Sequence, residues 1–551
     1  MVLLPAGCAR VSDPAPGRVV LVSIDTLRAD RVGCYGAAGA HTPHLDAIAA
    51  AGVRFAAAIS PAPLTLPAHA SLMTALDPPD HGVRHNSIHR LDIALPTLAE
   101  GMRAAGYATA AFVGAVVLDE RFGLGRGFDV YDDEMGDRIS GVVGYAERRA
   151  DRVVDAALAW VREAPARFFL WVHFYDPHMT YEPPPGFASA FANRPYAGEI
   201  AFADFELGRL VAGVTERWGA EGLLVVATSD HGESLDEHGE PSHSYTIYDA
   251  TQRVPLLMRG PGLPVGRVIE APVRLIDVAP TLLGLVGARP LAGATGRDLR
   301  PLIDGSERVE RIAYVETLAT QLDYRWSPLL GLRTARFKYI RAPRPELYDL
   351  EADPGETRNR AADEPDRVAS LDRALEERLA RTRPAVPVGD LSPTDRERLQ
   401  SLGYVVPTPP ADELALGKVG GPDPKDEIGL LRVMGEAESL LARGKALEAL
   451  AKLEGVPTGG MLVAALRAAA AVTAGRYETA EASARSVLAQ EPGRGDLWTI
   501  LGRALEGRGK LPEARRAFDE AARIAAGNSA ARAGVAAEAV DAGPPRDARG
   551  P

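Results

Sequence analysis

Residues 65–86, TLPAHASLMTALDPPDHGVRHN, bring a hydroxyl, several imidazoles and an amide into one short stretch. Pro67 suits the first turn of a helix, where a missing N–H costs nothing, and residues 68–76 continue it. Thr65 therefore stands at or just before a helix N-terminus. There, unpaired N–H groups and the helix dipole favour an anion, which eases ionisation of the hydroxyl and binding of a phosphate or sulfate oxygen. On these residues alone, a nucleophilic Thr65 competes with a Thr65 that only caps the helix and a His69 that is only a helix residue. Other groups with chemistry stand at the ends of apolar runs. RVVLVSID (18–25) has the pattern of a buried parallel strand that delivers Asp25 to its C-terminal edge, where open α/β sheets bind ligands. FFLWVHFYDPH (168–178) delivers Asp176 and His178 to the same edge, although a surface turn with a structural histidine explains His178 as well. His173, inside that strand, reads as a packed core residue. GLLVVATSDH (222–231) ends in Asp230 and His231, ligands fit for Mg²⁺, Ca²⁺, Mn²⁺ or Zn²⁺.

Thr65, Pro67, His69, Ser71, Thr74, His81, Gly82 and Asn86 resemble the nucleophile segment of the alkaline phosphatase superfamily, in its sulfatase-like branch. Sulfatases carry C/S-x-P-x-R there and convert the Cys or Ser to formylglycine. Thr65 is not a substrate for that conversion, and His69 stands in place of the Arg, so no formylglycine is expected. The segment is more similar to nucleotide phosphodiesterases, in which a Thr attacks phosphorus and an Asn twenty-one residues later helps hold the oxyanion; Asn86 has that spacing. DTLRADRVGCYG, from Asp25, resembles the first sulfatase motif, whose leading Asp binds metal, but Thr26 replaces the second Asp of the pattern. The Lys and His that sulfatases supply after the next strand are absent from 112–131. His178 matches the catalytic His of a P-H-x-P-[FYW]-x-P element. SDHGES (229–234) is similar to the metal segment of phosphoethanolamine transferases, where a later His also serves the site; His243 matches it, and His238 is a weaker candidate. The resemblance covers 18–385 and implies a mostly parallel sheet with helices on both faces, followed by a small antiparallel sheet, seen here in 333–359.

These residues need a frame, and the chain supplies the elements in order. A helix is expected over 42–51, a strand over 53–58, a helix over 97–106, a strand over 107–113, a helix over 142–163 and a helix from Asp277. Residues 386–424 are rich in Pro, Gly and charge and read as a linker with one short helix at 392–402. GKALEA (444–449), GRYETA (475–480) and GKLPEA (509–514) then recur at spacings of 31 and 34 residues. With Trp498, Leu501, Gly502, Ala514, Phe518 and Ala521 they match tetratricopeptide packing positions, so 425–540 reads as an all-α repeat domain and 541–551 as a disordered tail.

The chain has 551 residues, 46% hydrophobic and 25% charged, the make-up of two or three globular domains. A net charge of −12 disfavours a nucleic-acid binder. Cys8 and Cys34 are too few for a disulfide framework, and no apolar run is long enough for a transmembrane span. MVLLPAGC (1–8) resembles the end of a lipoprotein signal, so export to the periplasm or a lipid-anchored envelope site is expected, with 1–17 as leader; the alternative is an ordinary Cys8 in a loose tail.

The expected chemistry places Asp25, Thr65, Asp230 and His231 on one divalent metal, with Asn86 and the helix N-terminus on the transition-state charge. His178, His243 and His69 complete the catalytic set. Asp176, His178 and His243 are the alternative holders of a second metal. The expected reaction is cleavage or transfer of a phosphoester or phosphodiester of a small or envelope-derived substrate. The competing readings are sulfate ester hydrolysis without formylglycine and a non-catalytic binding protein. The repeats are expected to dock a protein partner or a second copy.

Overall fold

Every residue of strand Arg18–Ile24 after the first is buried, because the strand lies mid-sheet with helices on both faces. The computed structural model describes residues 15–135, 139–140, 145–146, 148–389, 416–456, 460–489 and 492–524. They fall into two units, one reaching Asp426 and one from Glu427 onward. In the first unit the sheet runs Arg267–Ile269, Val53–Ile59, Arg253–Arg259, Leu223–Ser229, Arg18–Ile24, Phe168–Phe174, Ala108–Phe112, Val130–Asp132. Among the described residues only Arg253–Arg259 runs antiparallel to its neighbours in this sheet. The three central strands are in register, with Ser23 beside both His173 and Thr228, so Asp25, Tyr175 and Asp230 emerge at one level. Because side chains alternate along a strand, Val20, Val22, Ile24, Leu170 and Val172 pack with Val154, Ala157, Leu207 and Leu210 of helices Ala150–Glu163 and Pro195–Trp218. Ser23, Trp171 and His173 take the opposite face, toward helix Thr65–Thr74.

Most expected elements are present, with three differences. The helix expected from 142 begins at Ala150, where the Asp176 carboxylate accepts the Ala150 N–H (2.8 Å) and fixes the start. Helix Pro195–Trp218 gave no clear sequence signal, because its buried residues include Gly198, Glu199, Asp204, Glu206 and Gly208. The small antiparallel sheet has four strands, Ala313–Thr317, Leu329–Arg333, Phe337–Arg341 and Glu346–Asp349, rather than the two read from the sequence. Cys8, with the rest of the apolar leader through residue 14, and the short helix expected at 392–402 lie outside the described residues.

Arg84 ties the small sheet to the segment 65–86. Both it and Glu316 are buried, and Arg84 Nε donates to Glu316 Oε1 (2.8 Å) while Tyr314 also donates to that carboxylate. Arg84→Ala leaves Glu316 buried without its cation, so a loss of about 3–5 kcal/mol is expected in urea unfolding. A loss below 1 kcal/mol would show that water reaches Glu316.

Burial also keeps nearby imidazoles neutral. The Val83 N–H donates to His81 Nδ1 (3.0 Å), so the Nε2–H of His81 donates to Ser71 (2.9 Å); burial, with Arg84 close by, lowers its pKa to about 3. His89 is likewise lowered to about 3 by burial, His85 and Arg84. Below the ordinary value of 6.5 the unfolded chain takes up two protons that the folded chain refuses. The stability from these rings is therefore complete at neutral pH and lost as pH falls, at about 1.4 kcal/mol per pH unit per ring. Stability should fall from pH 7 to 5 less steeply in His81→Gln than in the wild type, by one proton; an unchanged slope in the variant would refute the assignment.

The second unit consists of helices Ala446–Glu454, Gly460–Thr473, Tyr477–Leu488, Gly495–Gly507 and 511–524, together with most of Pro424–Ala442. Gly444, Gly475 and Gly509 adopt φ of 74°, 70° and 74°. The recurring glycine thus marks one repeated left-handed turn between paired helices. Leu497, Leu501, Leu505, Ala484, Val487, Ala514 and Ala517 form its core, with Phe518 and Trp498 packed on it. A Cβ at Gly502 would lie 2.5 Å from the Phe518 ring, which explains the small residue there.

Candidate active site

Thr65 opens helix Thr65–Thr74, all ten residues of which are buried. Its hydroxyl makes no cap; the Leu66 N–H is taken instead by Asn86 Oδ1 (2.8 Å), which leaves the buried Asn86 Nδ2 without a partner. Thr65 Oγ1 lies 3.4 Å from His231 Nε2. That nitrogen is also 3.6 Å from Asp25 Oδ1 and 3.5 Å from Asp230 Oδ2. His231 Nδ1–H donates to Gly232 O (3.0 Å), which leaves Nε2 as the ring nitrogen turned to the two carboxylates. Gly232 is required here, since a Cβ would stand 2.1 Å from the Ala250 carbonyl.

Asp25 and Asp230 are fully buried, and Asp25 Oδ1, Asp25 Oδ2 and Asp230 Oδ2 have no hydrogen-bond partner. Burial, followed by the charge of Asp230, pushes the Asp25 carboxyl well above its usual range. Burial acts on Asp230 in the same sense, but His231, His69 and His173 more than offset it and hold this carboxyl low. Two adjacent buried carboxylates with orphan oxygens and an imidazole lone pair are the donor set of a divalent cation. Asp25, Asp230 and His231 therefore fit a metal, with Thr65 Oγ1 beside them.

His178 and His243 stand next to this group. Their rings are 5.1 Å apart, and His243 is 4.6 Å from the His231 ring. His178 Nδ1–H donates to Met179 O (2.8 Å), and its Nε2 has no partner; burial lowers its pKa to about 3. Burial works against a charge on His243, but Glu233, Asp25 and Glu240 raise it to about 9. Asp176 does not join them. Its carboxylate holds the Ala150 N–H, and among the described residues no metal-holding group combines Asp176, His178 and His243. His238 stacks on Tyr248 at 3.7 Å and serves the loop. Thr26 turns its hydroxyl to the Pro177 carbonyl, away from the role that an Asp has at this position in the resemblance.

Two residues escaped the sequence reading. Glu233, three places beyond Asp230, accepts from His243 Nδ1 (3.2 Å) and from the Tyr181 hydroxyl (2.8 Å). Its signal was its place inside SDHGES. His173 is not a satisfied core residue: both ring nitrogens lack a hydrogen-bond partner, and Nε2 is 3.5 Å from Asp25 Oδ2. His69 donates from Nδ1 to Thr65 O (2.8 Å) and accepts the Ser23 hydroxyl at Nε2 (2.9 Å), with its ring edge-on to His173 at 4.9 Å.

Residues 18–288 match the family Sulfatase, and 237–385 match "N-sulphoglucosamine sulphohydrolase, C-terminal". Residues 18–288 are thus a sulfatase-family domain. The chain is 26% identical over 421 residues to mouse steryl-sulfatase, covering 55% of this chain and 66% of that protein. It is 27% identical over 410 residues to choline-sulfatase of Rhizobium meliloti, covering 58% and 78%. With zebrafish arylsulfatase K the match is 31% over 191 residues, only 33% of this chain and 36% of the relative. The phosphonate monoester hydrolase of Agrobacterium radiobacter shares the fold, with a TM-score of 0.56, 23% identity, and coverage of 66% of this chain and 95% of that one. A protein solved with D-glucosamine-2-N,6-O-disulfate does so at 0.58, with 19% identity and coverage of 67% and 98%. Residues 471–538 match a tetratricopeptide repeat. Among the described residues no helix is long and apolar enough to cross a membrane.

Proposed function

We propose that this sulfatase-family protein is a metal-dependent hydrolase that cleaves, or transfers, a phosphoric ester with Thr65 as its nucleophile. The observation that carries the reading is Thr65 Oγ1 at a helix N-terminus, 3.4 Å from His231 Nε2 and beside the orphan oxygens of Asp25 and Asp230. Asp25, Asp230 and His231 would hold a divalent ion, which would supply Lewis acidity and lower the pKa of the adjacent Thr65 hydroxyl. Thr65 gives its hydroxyl proton to solvent on ionising, and Oγ forms the bond to phosphorus as the P–O bond to the alcohol breaks. The alcohol leaves with a proton from His243, whose charge Glu233 maintains, and the neutral His243 takes a proton back from the water or alcohol that attacks next. Asn86 Nδ2 and the helix N-terminus donate to a non-bridging oxygen. The unprotonated His178 Nε2 then orients the water, or the acceptor alcohol, that releases the group from Thr65. His69 makes no contact of this kind; it holds the first turn of the helix through Thr65 O.

Sulfuric ester hydrolysis is the second reading, favoured by relatives named steryl-sulfatase and choline-sulfatase. Formylglycine expels sulfate by hemiacetal collapse, whereas a sulfated Thr lacks that exit and a phosphorylated Thr is open to in-line attack. The test is a panel of aryl sulfate, phosphate monoester, phosphate diester and phosphonate with Ca²⁺, Mg²⁺, Mn²⁺ and Zn²⁺ in turn. The phosphorus esters should turn over at least tenfold faster than the sulfate. A faster sulfate would transfer the assignment to the second reading, and a protein that binds no ion and turns over none of the panel would be the non-catalytic one.

The tetratricopeptide repeats fit protein recognition, with a peptide, a helix or a second copy as occupant. Lys425 pairs with Glu346 (2.9 Å) and Asp426 with Arg344 (2.8 Å), so the sheet unit extends past the expected boundary at 424. A chain ended after Asp426 should keep kcat within tenfold. A greater loss would show that the repeats support the site, at a cost above about 1.4 kcal/mol in the barrier.

A further inference from the structure

Asp230 belongs to two metal-holding groups. Besides Asp25, Asp230 and His231, the potential ligand atoms of His69, His173 and Asp230 lie within 4.8 Å of one another, and all three residues are buried. We propose that His69, His173 and Asp230 hold a second divalent ion, so that the centre is dinuclear with Asp230 shared between the ions. This goes beyond the one-ion reading above and does not depend on which ester is cleaved.

His173 carries the argument. It occupies an interior strand position, in register with Ser23, where an apolar side chain would pack without penalty. Instead both of its ring nitrogens are buried and unpartnered, and a buried polar atom left unmet costs about 1–3 kcal/mol. The 3.5 Å from Nε2 to Asp25 Oδ2 is too long to count as a hydrogen bond that would satisfy it. Asp230 Oδ2 is also unpartnered and lies 3.7 Å from His69 Nδ1. The remaining condition is that His69 can turn a lone pair to the ion. Its Nδ1 proton moves to Nε2 and is accepted by Ser23 Oγ at 2.9 Å, which already accepts the Trp171 indole N–H and must turn its own proton away from His69; the ring stays neutral with no net proton released. The carbonyl of Thr65 loses that donor, but it lies in the first helical turn, whose ladder supplies a backbone N–H. Two imidazoles and one carboxylate select a borderline first-row ion such as Zn²⁺, Fe²⁺, Mn²⁺ or Co²⁺ over Ca²⁺ or Mg²⁺.

The test is metal stoichiometry. The full chain is stripped with a chelator, reloaded with Zn²⁺, Mn²⁺, Fe²⁺ or Co²⁺, desalted and counted by elemental analysis. Wild type should hold two equivalents with at least one of these ions, and His173→Leu one, with an unchanged circular dichroism spectrum. If His173→Leu does not fold, His69→Gln is counted instead, with the same expectation. One equivalent in wild type with every ion, or two retained in the folded variant, overturns the inference. Asp25→Asn reports the first site separately: loss of an ion there, with none lost in His173→Leu, leaves a one-ion enzyme and overturns this inference alone.

Discussion

Thr65→Ala should lower kcat by about 10⁴-fold or more while the protein keeps its fold and its metal, since nucleophile removal in comparable sites costs that much. The structural cost is small. The Thr65 hydroxyl caps nothing, because Asn86 Oδ1 takes the Leu66 N–H, so a loss of only about 1 kcal/mol is expected, from the buried methyl. Capping had been one reading of this residue, and the geometry assigns that task to Asn86. Thr65→Ser keeps a hydroxyl at the same position and should retain far more activity than Thr65→Ala. Mass spectrometry of the peptide containing residue 65 should show unmodified Thr. Turnover by Thr65→Ala within tenfold of wild type would remove the nucleophile assignment.

Asp230→Asn should abolish metal binding and with it about 10³-fold or more of the activity, because its carboxylate faces both candidate metal groups. The effect on stability should depend on metal. Wild type gains about 2.7 kcal/mol at an ion concentration 100 times Kd, and the variant should gain almost none. Without metal the difference should shrink, since the variant loses the favourable charge of Asp230 but relieves the Asp25 carboxyl, which burial and Asp230 push well above its usual range. Calorimetry with and without added ion separates the two cases. Equal metal-induced shifts in variant and wild type would show that Asp230 is not a ligand.

The sequence alone determined a great deal about this protein. Short apolar runs ending in Asp25, Asp230 and His231 announce strands that deliver two carboxylates and an imidazole to one sheet edge, because a buried parallel strand must be apolar until it reaches the edge. Pro67 placed Thr65 at a helix start, and the glycines at 444, 475 and 509 marked the repeats, because each rests on a local backbone constraint. Tertiary structure decided what depends on register and on long-range pairing. His173 looked like core because its neighbours in the chain are apolar; only the alignment of its strand with Ser23 places it near Asp25. Asp176 looked like a ligand because it follows a strand, yet a helix beginning at Ala150 takes its carboxylate. Asn86 was legible as an amide near Thr65 by spacing. That its oxygen caps the helix and its nitrogen is left free follows only from the fold of the intervening twenty residues, which the buried Arg84–Glu316 pair fastens to a strand more than two hundred residues away.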